Sequence, residues 1–167
     1  MSGALNALRS AVAEQLRRSG VDAVTAMESA RANRWRKAVA AVSLTKVVCT
    51  PGGFQDYLGV HTDPDTGKKR ELYGREMELT LSVDIYAPRD GGERACQQAA
   101  EAVAETLVCQ GAAGLPVLEM ETGRVEFLEQ EGLYRQPASC RCKAWLTARI
   151  EEGGETFANF EVRGRMR

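Results

Sequence analysis

The chain has 167 residues, enough for one domain with a substantial core and short for two. Its 22 Lys plus Arg against 23 Asp plus Glu leave a formal net charge of −1, which gives no support to a nucleic-acid binder whose affinity rests on phosphate neutralisation. No run of about 18 apolar residues occurs, so no transmembrane helix is expected.

The opening segment, MSGALNALRSAVAEQLRRSG, lacks a basic stretch before its apolar residues and reads as a helix, not a signal peptide. Leu5, Leu8, Ala11, Val12 and Leu16 recur at helical spacing, which predicts an amphipathic helix over about 4–19 with Gly20 as its stop. Residues 21–37 read as an extended piece and a loop, basic at Arg31, Arg34, Arg36 and Lys37, with Trp35 as its anchor. The β-branched run 38–50, closed by Pro51-Gly52-Gly53, predicts the first strand. A stretch dense in Gly, Asp, Thr and Lys follows. Asp63-Pro64-Asp65-Thr66-Gly67 is its turn, because proline presets φ, Asp forms an Asx bond and Gly tolerates positive φ. A long hairpin over about 51–75 is expected there; loops of that length are usually functional or mobile.

From Glu76 to Tyr86 the alternation is strict: Met77, Leu79, Leu81, Val83 and Ile85 on one face, Glu76, Glu78, Thr80, Ser82, Asp84 and Tyr86 on the other. That period is a strand with one buried and one polar face, and Pro88 stops it. The second helix spans 92–110, capped by Asp90 or Gly91, with Cys96, Ala99, Ala100, Val103 and Leu107 as its stripe. A strand over 117–128 is expected to break near Gly123. A second long alternator over 133–151 sets Ala138, Cys140, Cys142, Ala144, Leu146, Ala148 and Ile150 against Ser139, Arg141, Lys143, Trp145, Thr147 and Arg149. A short last strand falls within 157–162. The expected fold is α+β in a single domain over 1–167: a central, mostly antiparallel sheet flanked by two helices, in the order αββαβββ. Without an alternating βαβα series, a doubly wound nucleotide fold is not expected.

Catalytic chemistry is thin. The only histidine, His61, sits among Asp56, Asp63 and Asp65, a pattern that fits a loop better than a metal or acid–base site. Asp63-x-Asp65-x-Gly67 lacks the spacing and closing glutamate of a calcium loop. Cys140 and Cys142 share a strand face, too closely spaced for a zinc knuckle; with Cys49, Cys96 and Cys109 they read as free thiols in a reducing cytosol, mostly buried. No phosphate-binding glycine loop, nucleophile elbow or paired-histidine zinc motif occurs. No catalytic, cofactor or metal residue is therefore assigned, and an enzyme is not expected. The two long strands carry opposite charge on their polar faces: Glu76, Glu78 and Asp84 on one, Arg141, Lys143 and Arg149 on the other. Ion pairing within the sheet explains this; so does contact with neighbouring copies, which Tyr86 and Trp145 favour as aromatics.

Several segments in order carry a resemblance: Arg34-Trp35-Arg36 leading into Val42-Ser43-Leu44, then Gly53-Phe54-Gln55-Asp56-Tyr57-Leu58-Gly59, then Glu71-Leu72-Tyr73-Gly74. Asp84-Ile85-Tyr86-Ala87-Pro88-Arg89, Cys142-Lys143-Ala144-Trp145-Leu146 and Phe160-Glu161-Val162-Arg163-Gly164 continue it. With these the chain resembles tail terminator, or tail completion, proteins of tailed bacteriophages and phage-tail-like particles, of the type in Gram-positive prophages. The resemblance spans nearly the whole chain, and none of its pieces is a catalytic signature. It implies a non-enzymatic structural protein that assembles in the bacterial host cytoplasm and resides in the virion or tail-like particle. There it would form a ring, typically hexameric, at the head-proximal end of the tail tube. The ring would stop tube polymerisation and offer a head-joining surface. Implied partners are further copies of the chain, the tail tube protein, the head–tail connector and, in a contractile tail, the sheath. No cofactor, membrane or specific nucleic-acid contact is implied, the genome simply passing through the ring. Candidate subunit or tube contacts are Phe54, Tyr57, Leu58, Tyr86, Arg141, Trp145 and Arg149. Two alternatives stand beside it: a head-closure or neck connector of the same particle, and a small binding module or enzyme using the His61 loop.

Overall fold

The computed structural model describes residues 2–25, 35–51, 56–150 and 160–164. Helix α1 covers Ser2–Arg18 and ends in a left-handed Gly20 (φ +88°). Its last turn is closed by Gly20 N–H to Arg17 O and Val21 N–H to Leu16 O, both 3.0 Å, the paired bonds of a Schellman cap. Strand β1 (Asp22–Val24) lies parallel to the start of β2 (Val39–Pro51). Strands β3 (Tyr57–Thr62) and β4 (Lys69–Pro88) make a hairpin around the Asp63–Lys68 turn. Helix α2 (Gly92–Gln110) follows, then β5 (Val117–Thr122), β6 (Glu126–Leu128), β7 (Leu133–Gln136), β8 (Ala138–Ile150) and β9 (Phe160–Arg163).

The class is α+β: two helices on a mixed, mostly antiparallel sheet. The order is richer in strands than αββαβββ. Three-residue β1 precedes the strand expected to be first, β3 is a strand of its own, and the two later segments are each split. Gly123 marks one break as expected. The other falls at Pro137, which has no N–H to give the ladder, so 133–151 is two strands in line.

Strand β4 organises everything. Its upper part pairs with β2 on one side and with β7 and β8 on the other, and its first residues pair with β3. Met77, Leu79, Leu81, Val83 and Ile85 all point to the helical side, where Leu8, Val12 and Leu16 of α1 and Cys96, Ala100, Val103 and Leu107 of α2 cover them. Ala138, Cys140, Cys142 and Ala144 of β8 complete that core. Fully burying each of the large aliphatic side chains contributes about 1.5–3 kcal/mol. The expected helical stripes match it, apart from Ala11, which is exposed while Ala13 is buried. Gln15 staples α1 to the turn after α2: its Nε2 donates to Gly111 O (2.9 Å) and its Oε1 accepts from Ala113 N (2.8 Å).

Candidate assembly surface

Helices cover one face of the sheet, and the polar residues of β4 and β8 occupy the other. The opposite charges there are partners. Arg141 bonds Glu78 (3.0 Å) and Glu119 of β5 (2.8 Å), and Lys143 reaches Glu76 (2.9 Å). Glu119 stands directly across from Arg141, whereas the two pairs to β4 are diagonal, Arg141 lying across from Thr80 and Lys143 across from Glu78. Further up, Arg135 holds Asp84 at 2.7 Å, and Ser82 Oγ donates to the same carboxylate. The hydrogen bond to Asp84 holds the Arg135 guanidinium even more firmly protonated than usual, as the one to Glu78 does for Arg141. Exposed pairs of this kind contribute little stability each. Together they make an ordered charged surface. Thr45, Ser82, Asp84, Arg135 and Ser139 line a shallow polar groove of about 630 Å³ in it.

Beyond the helices the sheet continues as an arm built from β3, from the first residues of β4 and from the end of β8. Here Tyr57 and Val60 on β3 meet solvent; Val47 and Val48 on β2 are exposed too, but at the edge of the body, opposite Leu79 and Glu78. Tyr57 packs edge-on against Tyr73 with ring centroids 5.5 Å apart. Arg75 ties the base of the arm by an ion pair to Asp56 (3.0 Å), a residue held at φ +61°. At the tip, Asp63 Oδ1 accepts the N–H groups of Asp65 (2.9 Å) and Thr66 (3.1 Å), the Asx turn expected from the sequence. Those bonds, first Thr66 and then Asp65, keep its carboxyl below the ordinary 3.8.

The residues singled out from the sequence do not gather in one place, and two of them, Leu58 and Tyr86, turn away from solvent. Tyr57 is exposed on the arm. Leu58 turns inward over Gly74, where a Cβ would stand 2.9 Å from Leu58 Cδ1. Tyr86 is buried with Leu133 and packs on Trp35, centroids 6.0 Å apart, which makes Trp35 an anchor as expected. Burial raises the Tyr86 hydroxyl above its usual range. Arg141 and Trp145 share the open face, where Lys143 Nζ sits 5.7 Å from the Trp145 ring centroid. Arg149 lies in β8 opposite Leu72. Phe54 lies outside the described residues, as do Arg31, Arg34, Arg165 and Arg167. Val47, Val48, Val60 and Leu118 are exposed and were not singled out. A signal existed for the first two: adjacent valines in one strand face opposite sides, so one of them must leave the core.

His61 lies in β3 opposite Arg70, while Asp56 and Asp63 are committed to the contacts just described. Among the described residues no group of three or more His, Cys, Asp or Glu could hold a metal ion, and no helix is long and apolar enough to cross a membrane. Cys140 and Cys142 are buried with sulfurs 3.7 Å apart; their hydrogen bond and burial hold the Cys142 thiol protonated well above its usual range. Set against models of known protein families the chain matches none, and no curated protein matches it either.

Proposed function

We propose that this protein is a non-enzymatic structural component of a phage tail or tail-like particle, closing as a ring on the head-proximal end of the tail tube. The observation that carries the reading is the arm: an extension of the sheet beyond the helical layer that presents Tyr57 and Val60 to solvent. Exposed aliphatic and aromatic groups on an otherwise polar projection suit a surface that another subunit or the tube covers. The charged open face supports the same reading, because a tube end and a head-side connector need a broad polar docking surface. Ring closure requires head-to-tail contacts that repeat by rotation.

The test is electron microscopy of tail tube protein polymerised with and without the chain. Tubes of uniform length with added density at one end are expected, and open tubes of unchanged length would sink the terminator reading in favour of a head-side connector. A Tyr57→Ser, Val60→Ser double variant should leave the melting temperature within a few degrees while removing the end density. Normal capping by that variant would take the arm out of the contact.

A further inference from the structure

The two long edges of the sheet match one another. The outer edge of β2 beyond Ala41 and the outer edge of β5 have no strand paired to them among the described residues, and neither Val42–Thr50 nor Val117–Thr122 contains proline. Their N–H and C=O groups are thus available to another strand. The register places both edges at one level. Lys46 faces Thr80, Thr80 faces Arg141, and Arg141 faces Glu119, so Lys46 and Glu119 stand on the same open face at opposite ends of one row. Ser43 and Glu121 occupy another such row, through Ser82 and Ser139. Beside each charge is an exposed aliphatic group: Val47 at 40% next to Lys46, Leu118 at 47% next to Glu119.

Direction matches too. β2, β4, β8 and β5 alternate antiparallel, so β2 and β5 run in opposite senses. A second copy in the same orientation, moved sideways, sets its β2 antiparallel to the first copy's β5, the stronger kind of pairing. A two-fold contact would instead bring Lys46 toward Lys46, or Glu119 and Glu121 toward themselves, which like-charge repulsion disfavours. Lysine and a bulge on an edge also blunt it against random pairing, and β2 has both, with its bulge between Leu44 and Lys46. β5 has an irregularity too, between Val117 and Glu119, but protecting two edges separately does not require opposite charges at one level, and these edges carry them.

We infer that copies of this chain join head to tail by continuing the sheet, β5 of one copy against β2 of the next, with Glu119 meeting Lys46. The inference deepens the ring reading, on which it rests for closure, and predicts the contact itself without it.

A Ser43→Cys, Glu121→Cys pair reports the contact, in a chain whose exposed Cys49 and Cys109 are changed to serine. Mild oxidation, alone and with tube protein, should give a ladder of covalent oligomers. Either single-cysteine chain should give no ladder, and the two mixed should give only dimers. Adding Lys46→Glu or Glu119→Lys should lower the yield roughly tenfold, while an equimolar mixture of the two reversed chains, whose alternating contacts are all complementary, restores it. Cooperative thermal unfolding of each variant checks the fold. No ladder in either condition, a ladder indifferent to both charges, or dimers from the Ser43→Cys chain alone would overturn the contact. A ladder with uncapped tubes would instead keep the contact and sink the terminator role.

Discussion

Gly74 is where the chain tolerates no side chain. A Cβ there would lie 2.4 Å from the carbonyl oxygen of Leu146 and 2.9 Å from Leu58 Cδ1, with Thr147 Cα at 3.1 Å. Gly74 pairs with Thr147 in the β4–β8 ladder, so the first clash is with the backbone of the adjacent strand, which rotamer changes cannot relieve. In an ordinary strand Gly→Ala stabilises by about 0.5–1 kcal/mol through the unfolded chain. Here overpacking costs about 1–3 kcal/mol, so the net effect of Gly74→Ala is a loss of up to about 2.5 kcal/mol. For a domain of this size that lowers the melting temperature by up to about 10 °C. Thermal unfolding followed by the fluorescence of Trp35 and Trp145 measures it, and amide exchange at Thr147 localises it. Combining Gly74→Ala with Leu58→Ala relieves the 2.9 Å contact but not the 2.4 Å one, so most of the loss should persist. A Gly74→Ala protein more stable than the parent, as in an ordinary strand, would refute the close approach of β4 and β8 and the inward position of Leu58.

Three further outcomes follow from the same contacts. Gln15→Leu removes both bonds from α1 to the turn after α2 and leaves Gly111 O and Ala113 N–H unpaired, so urea unfolding should show a loss of about 2 kcal/mol, with Gln15→Glu keeping one bond and losing less. Of the five cysteines, Cys49 and Cys109 are exposed and should react with a thiol reagent at pH 8 within minutes; Cys96, whose thiol burial raises to about 11, and the buried Cys140 and Cys142 should react only on unfolding. The Asp63 carboxyl is depressed by its turn bonds, so its contribution is complete above the ordinary 3.8 and is lost as pH falls through the lower folded value. Amide exchange at Asp65 and Thr66 should quicken, relative to the core, only at that acid end, and Asp63→Ala should show the quickening at neutral pH.

Sequence made the core legible because burial on one face writes period two into β4 and β8, and period 3.6 into the helices. Helix α2 has the expected bounds for that reason. The first seven residues of β4, Lys69–Arg75, were not legible as strand: on the arm both faces meet solvent or a thin layer, so no alternation is imposed. β1 is three residues long and held by a parallel partner, below any pattern's resolution. Pro137, with no N–H for the ladder, is a strand break readable inside the longer alternation. On the open face the sign difference between β4 and β8 was legible, and the structure resolves it as pairing within the sheet. What escaped the sequence was level: that Lys46 and Glu119 share a row depends on three strand registers, two of them shifted, between Leu44 and Lys46 in β2 and between Val117 and Glu119 in β5.

Strand β4 runs without interruption for 20 residues, about 66 Å at ~3.3 Å per residue, from the arm's turn to the edge of the helical layer. A force applied at the arm's tip along β4 therefore acts parallel to the strand. It shears the ladders with β2 and β8 along their length, loading many hydrogen bonds at once in place of opening them one by one. An arm so anchored cannot hinge away from its body, so strain imposed at one end of the molecule arrives at the other as displacement.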